Sequence, residues 1–457
     1  MNRKQRRADA KKNRSAEKRV TLDEAISIAI RLHQDGHLDE ANTIYQQVLD
    51  INPQHPDALH FLGVLSHQQG ESGKALDLIR KAISVNPKHP DFHNNLGNVL
   101  KETGKPGEAA EAYQACLKID PENANALCNL GAVLKDDKRY KEALTSLEHA
   151  IELAPKHSQA YHNLGNVLKK LERYDEAIDA YRESIKLIEP EESATYISTA
   201  YKSLGRMLYR ERKFDEAVAV YKQWLSFDPD NPTAQHLLAA CSGKEIPDRA
   251  SDAFVAETFD IFAGSFDDVL KRLEYRAPEL VLSAIKSQLN EPDNQLAILD
   301  AGCGTGLLGI LIRDYAQHLV GVDLSKGMID KAKGRGIYNE LEIAELTEFM
   351  RKKPDAFDLI ASADTLCYFG DLTHAFQAAS AALRKNGLLI FTLEEAIDPA
   401  PEETYHLNPH GRYSHTQEYI AKAIQDAGMR VESIKTDALR NEGGTPVKGF
   451  IVTAFKA

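Results

Sequence analysis

His93-Asn94-Asn95-Leu96-Gly97-Asn98-Val99-Leu100-Lys101 returns, one residue shorter, as His162-Asn163-Leu164-Gly165-Asn166-Val167-Leu168-Lys169. The leucine-glycine pair at its centre also stands at Leu62-Gly63 and Leu130-Gly131, so Gly63, Gly97, Gly131 and Gly165 lie 34 residues apart. Ala41, Ala75, Ala109, Ala143 and Ala177 keep the same spacing, as do Pro53, Pro87, Pro121 and Pro155. Three positions sharing one period mark a tandem array of supersecondary units. Each unit reads as two helices, with small residues where the two backbones approach and a proline that stops the second helix by removing a donor and excluding further helix. After Pro155 the period breaks: Gly205 follows Gly165 by 40 residues, and the extra length falls around Glu189 to Ser198, expected as a loop. A last unit runs through Lys213-Phe214-Asp215-Glu216-Ala217 to Pro229.

A 34-residue helical period is the tetratricopeptide length, and about six such units fit between Thr21 and Ala240. One unit cannot bury its own apolar face, so the array is expected to stack as a superhelix with a concave groove. Asn95, Asn129 and Asn163 occupy one repeat position. The two quoted stretches resemble repeats of O-linked N-acetylglucosamine transferases, where an asparagine ladder grips peptide main chain. A carboxamide both donates and accepts, which suits such binding. The same asparagines read equally as polar groups that solvate a helix surface.

From Phe254 onward the period gives way to alternating strands and helices. Gln295 to Leu299 is an apolar run followed by Asp300-Ala301-Gly302-Cys303-Gly304-Thr305-Gly306, and His318 to Val322 is a second run closed by Asp323, 21 residues beyond Gly302. Strand, glycine-rich turn, helix, and an acidic residue at the end of the next strand form a nucleotide-binding pattern of Rossmann type.

LDAGCGTG with VGVDLS resembles motifs I and II of class I methyltransferases, and its GxGxG spacing argues against a dinucleotide pyrophosphate at the helix start. The resemblance covers Phe254 to Ala457; with the repeats, the chain is similar to bacterial tetratricopeptide-repeat methyltransferases. It implies S-adenosyl-L-methionine as cofactor, with Asp300, Gly302, Gly304 and Gly306 at the methionine, Asp323 on the ribose, and Leu324 and Met328 on adenine. Glu345 and Leu346, in a stretch like the third motif, are implied at the adenine edge, and Asp364, closing the fourth strand, at the methionine amine or the acceptor. Phe259 to Asp267, Tyr275-Arg276-Ala277-Pro278 and Gly411-Arg412-Tyr413-Ser414-His415 support the narrower match. The first is expected as a helix over the cofactor mouth and the last among substrate contacts.

Methyl transfer needs alignment more than acid-base work. Asp364, Tyr368 and His415 are the candidate catalytic residues, with His406 and His410 beside them. Five cysteines without a CxxC pair exclude a disulfide framework and give no zinc spacing, so no metal is expected and a reducing cytoplasm fits. No apolar run reaches the roughly 20 residues of a membrane-spanning helix.

The expected architecture is multidomain: a basic arm over 1–20, an all-α repeat superhelix over 21–241, a linker over 242–253, and an α/β Rossmann-like methyltransferase domain over 254–457. The arm carries nine Lys or Arg against Asp9 and Glu17, while the whole chain has a formal charge of -12. It reads as a solvated tail, or as a segment that touches RNA, acidic lipid or the acidic body of the protein. It lacks the apolar core of a secretory signal. The function expected is methyl transfer with the repeats recruiting a protein partner or substrate. The alternatives are a small-molecule methyltransferase whose repeats serve assembly, and a non-catalytic scaffold that binds the cofactor.

Overall fold

A computed structural model describes residues 20–189, 192–289, 291–400, 402–442 and 444–457. The basic arm, up to Arg19, lies outside the described residues.

Six helix pairs realise the six expected units: α1 (Leu22–Gln34) with α2 (Leu38–Ile51), α3 (Pro56–Gln68) with α4 (Ser72–Val85), α5 (Pro90–Glu102) with α6 (Pro106–Ile119), α7 (Ala124–Asp136) with α8 (Tyr140–Leu153), α9 (Ser158–Lys170) with α10 (Tyr174–Lys186), and α11 (Ala194–Arg210) with α12 (Phe214–Phe227). A solitary helix α13 (Pro232–Ser242) comes next. Local chemistry sets the ends. Thr21 and Glu24 form a reciprocal capping box on α1, and proline stands in the first turn of α3, α5, α6 and α13, where its missing N–H costs nothing. The repeat glycines exist for close approach. A methyl group added at Gly97 would fall 2.5 Å from Cε1 of Tyr113, and one at Gly131 2.5 Å from Cγ of Leu147. The extra residues of the sixth unit divide between a connection and an added helical turn. As a result α11 has 17 residues where α5 has 13, and Ala194 to Ile197, expected in a loop, are helical.

The α/β part runs through α14 (Asp252–Phe262), α15 (Phe266–Arg272) and α16 (Ala277–Gln288) into β1 (Leu296–Ala301), α17 (Leu307–Ile312), β2 (Ala316–Asp323), α18 (Lys326–Arg335), β3 (Glu340–Ile343), α19 (Leu346–Arg351), β4 (Phe357–Ser362), α20 (Thr373–Ala382) and β5 (Leu383–Glu395). A short hairpin of β6 (Tyr405–Leu407) and β7 (Tyr413–His415) precedes α21 (Gln417–Asp426), β8 (Met429–Glu442) and β9 (Thr445–Lys456). The strands order as β3-β2-β1-β4-β5, all parallel; β9 runs antiparallel between β5 and β8, and β7 pairs with the far end of β5. Successive residues point to opposite faces and both faces are covered, so the central stretches of β1, β2, β4 and β5 are apolar, whereas edge strand β3 (Glu-Leu-Glu-Ile) has no buried residue. Leu299, Val320, Ile360 and Phe391 pack with Phe349, Phe376 and Ile424 on one side, while Ile298, Leu319, Leu359 and Ile390 pack with Val281, Ile285 and Ile312 on the other. Among the described residues no helix is long and apolar enough to cross a membrane.

The chain divides into two compact units between Ser203 and Leu204. α13 and the segment after it contact the α/β part. Ala239 and Ala240 share an apolar cluster with Leu407 and Tyr413, His236 Nε2 lies 2.9 Å from the carbonyl of Gly411, and the Tyr413 hydroxyl donates to Pro247 O at 2.7 Å. Ala250 N donates to Tyr368 O, and Asp248 O accepts from Gly370 N and Asp371 N. Residues expected as a linker are therefore hydrogen-bonded into the α/β unit. A chain begun at Arg249 loses this cover and should aggregate, or melt well below one begun at Ala194, which keeps the last helix pair and α13. Equal solubility and melting of the two would show that α13 contributes nothing to the unit.

Candidate functional site

The carboxyl ends of β1, β2, β4 and β5 converge, as parallel sheets require of their binding crevices. At the end of β1, Gly302 takes φ +75°, and a Cβ there would lie 2.1 Å from Oγ1 of Thr365, so only glycine fits. Gly304 is left-handed too, at φ +52°, but its Cβ position is open, with Cε1 of Phe266 no nearer than 3.9 Å. The loop thus leaves room above Gly304 for a ligand to meet the backbone. Asp323, at the end of β2, accepts from Gly304 N through Oδ2 and from Ser325 N through Oδ1, both at 2.9 Å. The carboxylate keeps acceptor capacity beyond these two bonds. Burial raises the Asp323 pKa above the ordinary value, while the N–H groups of Ser325, Gly304 and Leu324 oppose that rise.

Two further aspartates clamp the preceding helices onto this loop. Asp260 of α14 accepts from the Ser325 hydroxyl at 2.5 Å and from Gly327 N at 2.8 Å. Asp267 of α15 accepts from the Thr305 hydroxyl and from Arg335, each at 2.5 Å. The helix expected over the cofactor mouth is thus two short helices, each pinned by one carboxylate. Glu345 caps α19 by accepting from Glu348 N at 2.8 Å, and its other oxygen is buried without a hydrogen-bond partner. Leu324 is half-buried; Met328 and Leu346 are buried. Asp300 sits behind the loop, where the Tyr338 hydroxyl donates to it at 2.6 Å; burial pushes its pKa up to about 7.

At the ends of β4 and β5 stands a cluster of charges. Asp364 is left-handed, φ +54°; its Oδ1 accepts from the Thr392 hydroxyl at 3.1 Å and its Oδ2 from Arg440 at 2.8 Å. Arg440 also donates to Glu394 and, at 2.7 Å, to Glu442. Arg412 Nε lies 2.6 Å from Glu394, and its Nη2 donates to Glu442 at 2.5 Å. Burial would raise the Glu394 pKa, but Arg412 and Arg440 outweigh it and hold it below the usual value; the same arginines bring Glu442 down to about 2. Burial raises Asp364, which shares Arg440 with Glu394. His410 is 3.7 Å from Glu394, and desolvation together with the neighbouring Arg412 lowers its pKa.

Of the expected catalytic residues, Asp364 and Tyr368 lie at this cluster, the Tyr368 ring edge-on to Phe259 at 5.5 Å. His415 is fully buried in β7, its Nε2 3.0 Å from Gly370 O and its ring parallel to that of Tyr419 at 6.0 Å; burial lowers it to about 4. His406 pairs with Glu403 at 2.8 Å. Sequence reading missed Glu394, Arg440 and Glu442. Glu394 carried one signal, a charge ending the apolar run of β5; Arg440 and Glu442 carried none. Asp260 and Asp267 lie within the quoted Phe259 to Asp267 stretch, but no hydrogen-bonding role was legible there.

In the repeats, each expected groove asparagine reaches back to the first helix of the preceding unit. Asn95 Nδ2 is 2.8 Å from His60 Nε2, Asn129 donates to Asn94 at 3.3 Å and to Asn98 at 3.1 Å, and Asn163 donates to Cys128 Sγ at 3.4 Å. Part of the hydrogen-bonding capacity of these asparagines thus ties successive units together.

A methyltransferase-domain family model matches residues 271–434, and tetratricopeptide models match 32–98, 97–138, 122–187 and 156–230. The catalytic part is similar to Methyltransferase-like protein 27 of Homo sapiens, 34% identical over 104 residues, or 22% of this chain and 42% of that protein. It is also similar to Probable S-adenosylmethionine-dependent methyltransferase CRG1 of Saccharomyces cerevisiae, 25% identical over 170 residues, or 35% of this chain and 54% of that one. The chain spans about half the length of these curated relatives. Among solved structures, that of the Pseudomonas aeruginosa pilF study is 21% identical at TM-score 0.41, covering 48% of this chain and 96% of that one. YrrB, titled a TPR protein with an unusual peptide-binding site, is 22% identical at TM-score 0.32, covering 38% and 90%. This chain therefore joins tetratricopeptide repeats to a class I methyltransferase domain.

Proposed function

We propose that the protein is an S-adenosylmethionine-dependent methyltransferase whose repeats recruit a protein partner or substrate. The observation that carries the cofactor reading is Asp323, a half-buried carboxylate at the end of β2 that accepts from backbone N–H groups through both oxygens and keeps acceptor capacity suited to ribose hydroxyls. The partnerless Glu345 oxygen suits an exocyclic amine, and the open face of Gly304 suits a flexible chain laid along the backbone. S-adenosylmethionine, when bound, supplies a methyl group activated on a sulfonium. The chain's own residues then bind and orient: Asp323 and Glu345 hold the nucleoside, Gly302, Gly304 and Gly306 let the backbone close on the methionine part, and α14 and α15, pinned by Asp260 and Asp267, exclude water. Asp364 and Tyr368 border the acceptor side. Because Asp364 is ion-paired, it orients rather than removes a proton, so an acceptor that arrives neutral as an amine or already ionised fits best.

Incubation of the protein and cell extract with methyl-labelled cofactor tests the reading. Label in macromolecular protein is the expected result. Label only in extractable small molecules would favour a small-molecule acceptor, and no transfer despite cofactor binding would favour the scaffold.

A further inference from the structure

We propose that the methyl acceptor is an aliphatic amine, its nitrogen held by the hydroxyls of Tyr275 and Tyr368 beside Asp364. The inference rests on the methyltransferase reading above and narrows its acceptor. Tyr275, half-buried, stands in the turn between α15 and α16, and β8 fixes that turn. Asn441 N donates to Leu273 O at 2.7 Å, and Arg276 N donates to Leu439 O at 2.8 Å. The two bonds flank Arg440 and bring Tyr275 beside the charge cluster. Burial raises the pKa of its hydroxyl well above the ordinary value; Asp364 adds to that rise and Arg440 opposes it. Tyr368 meets the same cluster from beyond the end of β4, where burial and Cys367 raise its pKa against the pull of Arg412. Both phenols therefore keep their protons at neutral pH. Among the described residues neither hydroxyl has a hydrogen-bond partner, so each oxygen can accept from an incoming N–H.

The charges choose among acceptors. Arg440 donates through Nη1 to Asp364, through Nη2 to Glu394 and through Nε to Glu442, while Arg412 donates through Nη2 to Glu442 and sets its Nε against Glu394. Burial and Arg412 lower the His410 pKa, so this imidazole is neutral near pH 7. Three carboxylates thus face two guanidiniums, which leaves one negative charge in excess. Transfer to an amine keeps a positive charge opposite that excess throughout. The nitrogen lone pair attacks the methyl carbon, and the carbon–sulfur bond breaks with its pair kept on sulfur as a thioether. The product is a methylammonium, whose extra proton passes to solvent after release. Transfer to a carboxylate or phenolate would instead cancel the sulfonium charge and leave the excess unbalanced in a desolvated site.

Aromatic rings connect this cluster with the cofactor loop. Phe266 lies 3.9 Å from the Cβ position of Gly304 and is edge-on to Phe259 at 5.9 Å, and Phe259 is edge-on to Tyr368 at 5.5 Å. Ring faces attract a cation and offer an anion no donor. The same lining that excludes water therefore also favours a group that leaves the reaction positively charged.

The full chain, cell extract and methyl-labelled S-adenosylmethionine test this through the chemistry of the labelled product. The label should survive mild alkali and acid hydrolysis and elute as a methylated aliphatic amine. Its recovery in protein or in extractable metabolites tells which source presents the amine. Label released by alkali as methanol marks a carboxyl ester, and label in any product other than a methylated aliphatic amine marks another acceptor. Either result overturns the amine and leaves methyl transfer standing. No label, despite calorimetric binding of the demethylated cofactor, overturns the amine together with the methyl-transfer reading. Tyr275→Phe and Tyr368→Phe each remove one hydroxyl, and each should lower the initial rate at limiting acceptor at least about fivefold while cofactor affinity stays within about twofold. Unchanged rates in both variants would overturn the placement of the nitrogen. A loss of cofactor affinity in step with rate would overturn it too, by making the tyrosines supports of the cofactor pocket.

Discussion

Replacing Arg440 by methionine should destabilise the catalytic unit by about 3 kcal/mol, the low end of the range for removing one partner of a buried ion pair. Arg440 is 3% exposed and Glu394 4%, so the carboxylate left behind cannot recover its hydration. Arg412 remains 2.6 Å from Glu394 and limits the loss. For a unit of this size the melting temperature should fall by roughly 6–12 °C. Adding Glu394→Gln to Arg440→Met should restore much of it, because the desolvated charge is then gone as well. The pH dependence follows from the direction of the shifts. Glu394 and Glu442 are held below their ordinary value of 4.5, so the stability they contribute is fully present above that value and is lost as pH falls through their depressed folded values, about 2 for Glu442. Wild-type protein should lose stability over that window more steeply than Arg440→Met. Unchanged melting in the single variant would show that the cluster is solvated.

Asp323→Ala should reduce affinity for S-adenosylmethionine and for its demethylated product more than about a hundredfold, by removing two charge-assisted hydrogen bonds that together contribute on the order of 3 kcal/mol. The substitution also frees Gly304 N and Ser325 N, so melting must be followed beside calorimetry. Asp323→Asn separates the effects: its single carbonyl oxygen still accepts, and its affinity should fall between wild type and alanine. Full affinity in the alanine variant would overturn the ribose assignment, and tighter binding of a nicotinamide dinucleotide would overturn the cofactor.

Legibility differed between the halves for physical reasons. In the repeats, contacts are between neighbours and recur, so Gly97, Ala109 and Tyr113 announce a packing rule that 34-residue spacing makes visible. What the period hid was the division of the chain. α13 looks like the end of the array, yet its Ala239 and Ala240 are covered by residues far along the sequence. In the catalytic half the glycine loop and Asp323 were readable because backbone approach and a strand-end carboxylate demand particular residue types at short range. Expectation and geometry part at the charges. Asp364, read as a candidate catalytic residue and at the methionine amine or the acceptor, stands ion-paired to Arg440, 76 residues away; His415, read as a candidate catalytic residue and among substrate contacts, is buried in β7.

The sequence by itself determined the repeat, the change from paired helices to alternating strands and helices, the strand-loop-helix at Gly302 and the acidic end of β2. Each of these follows from steric and hydrogen-bonding needs that act within a few residues or recur at a fixed period. The tertiary structure alone decided that Asp260 and Asp267 pin the helices above the loop, that Asp364, Glu394, Arg412, Arg440 and Glu442 form one cluster, and that the asparagines spend part of their bonding between units. Such partnerships join side chains from distant segments, and a carboxylate or guanidinium has the same composition whether its partner is water or another charge.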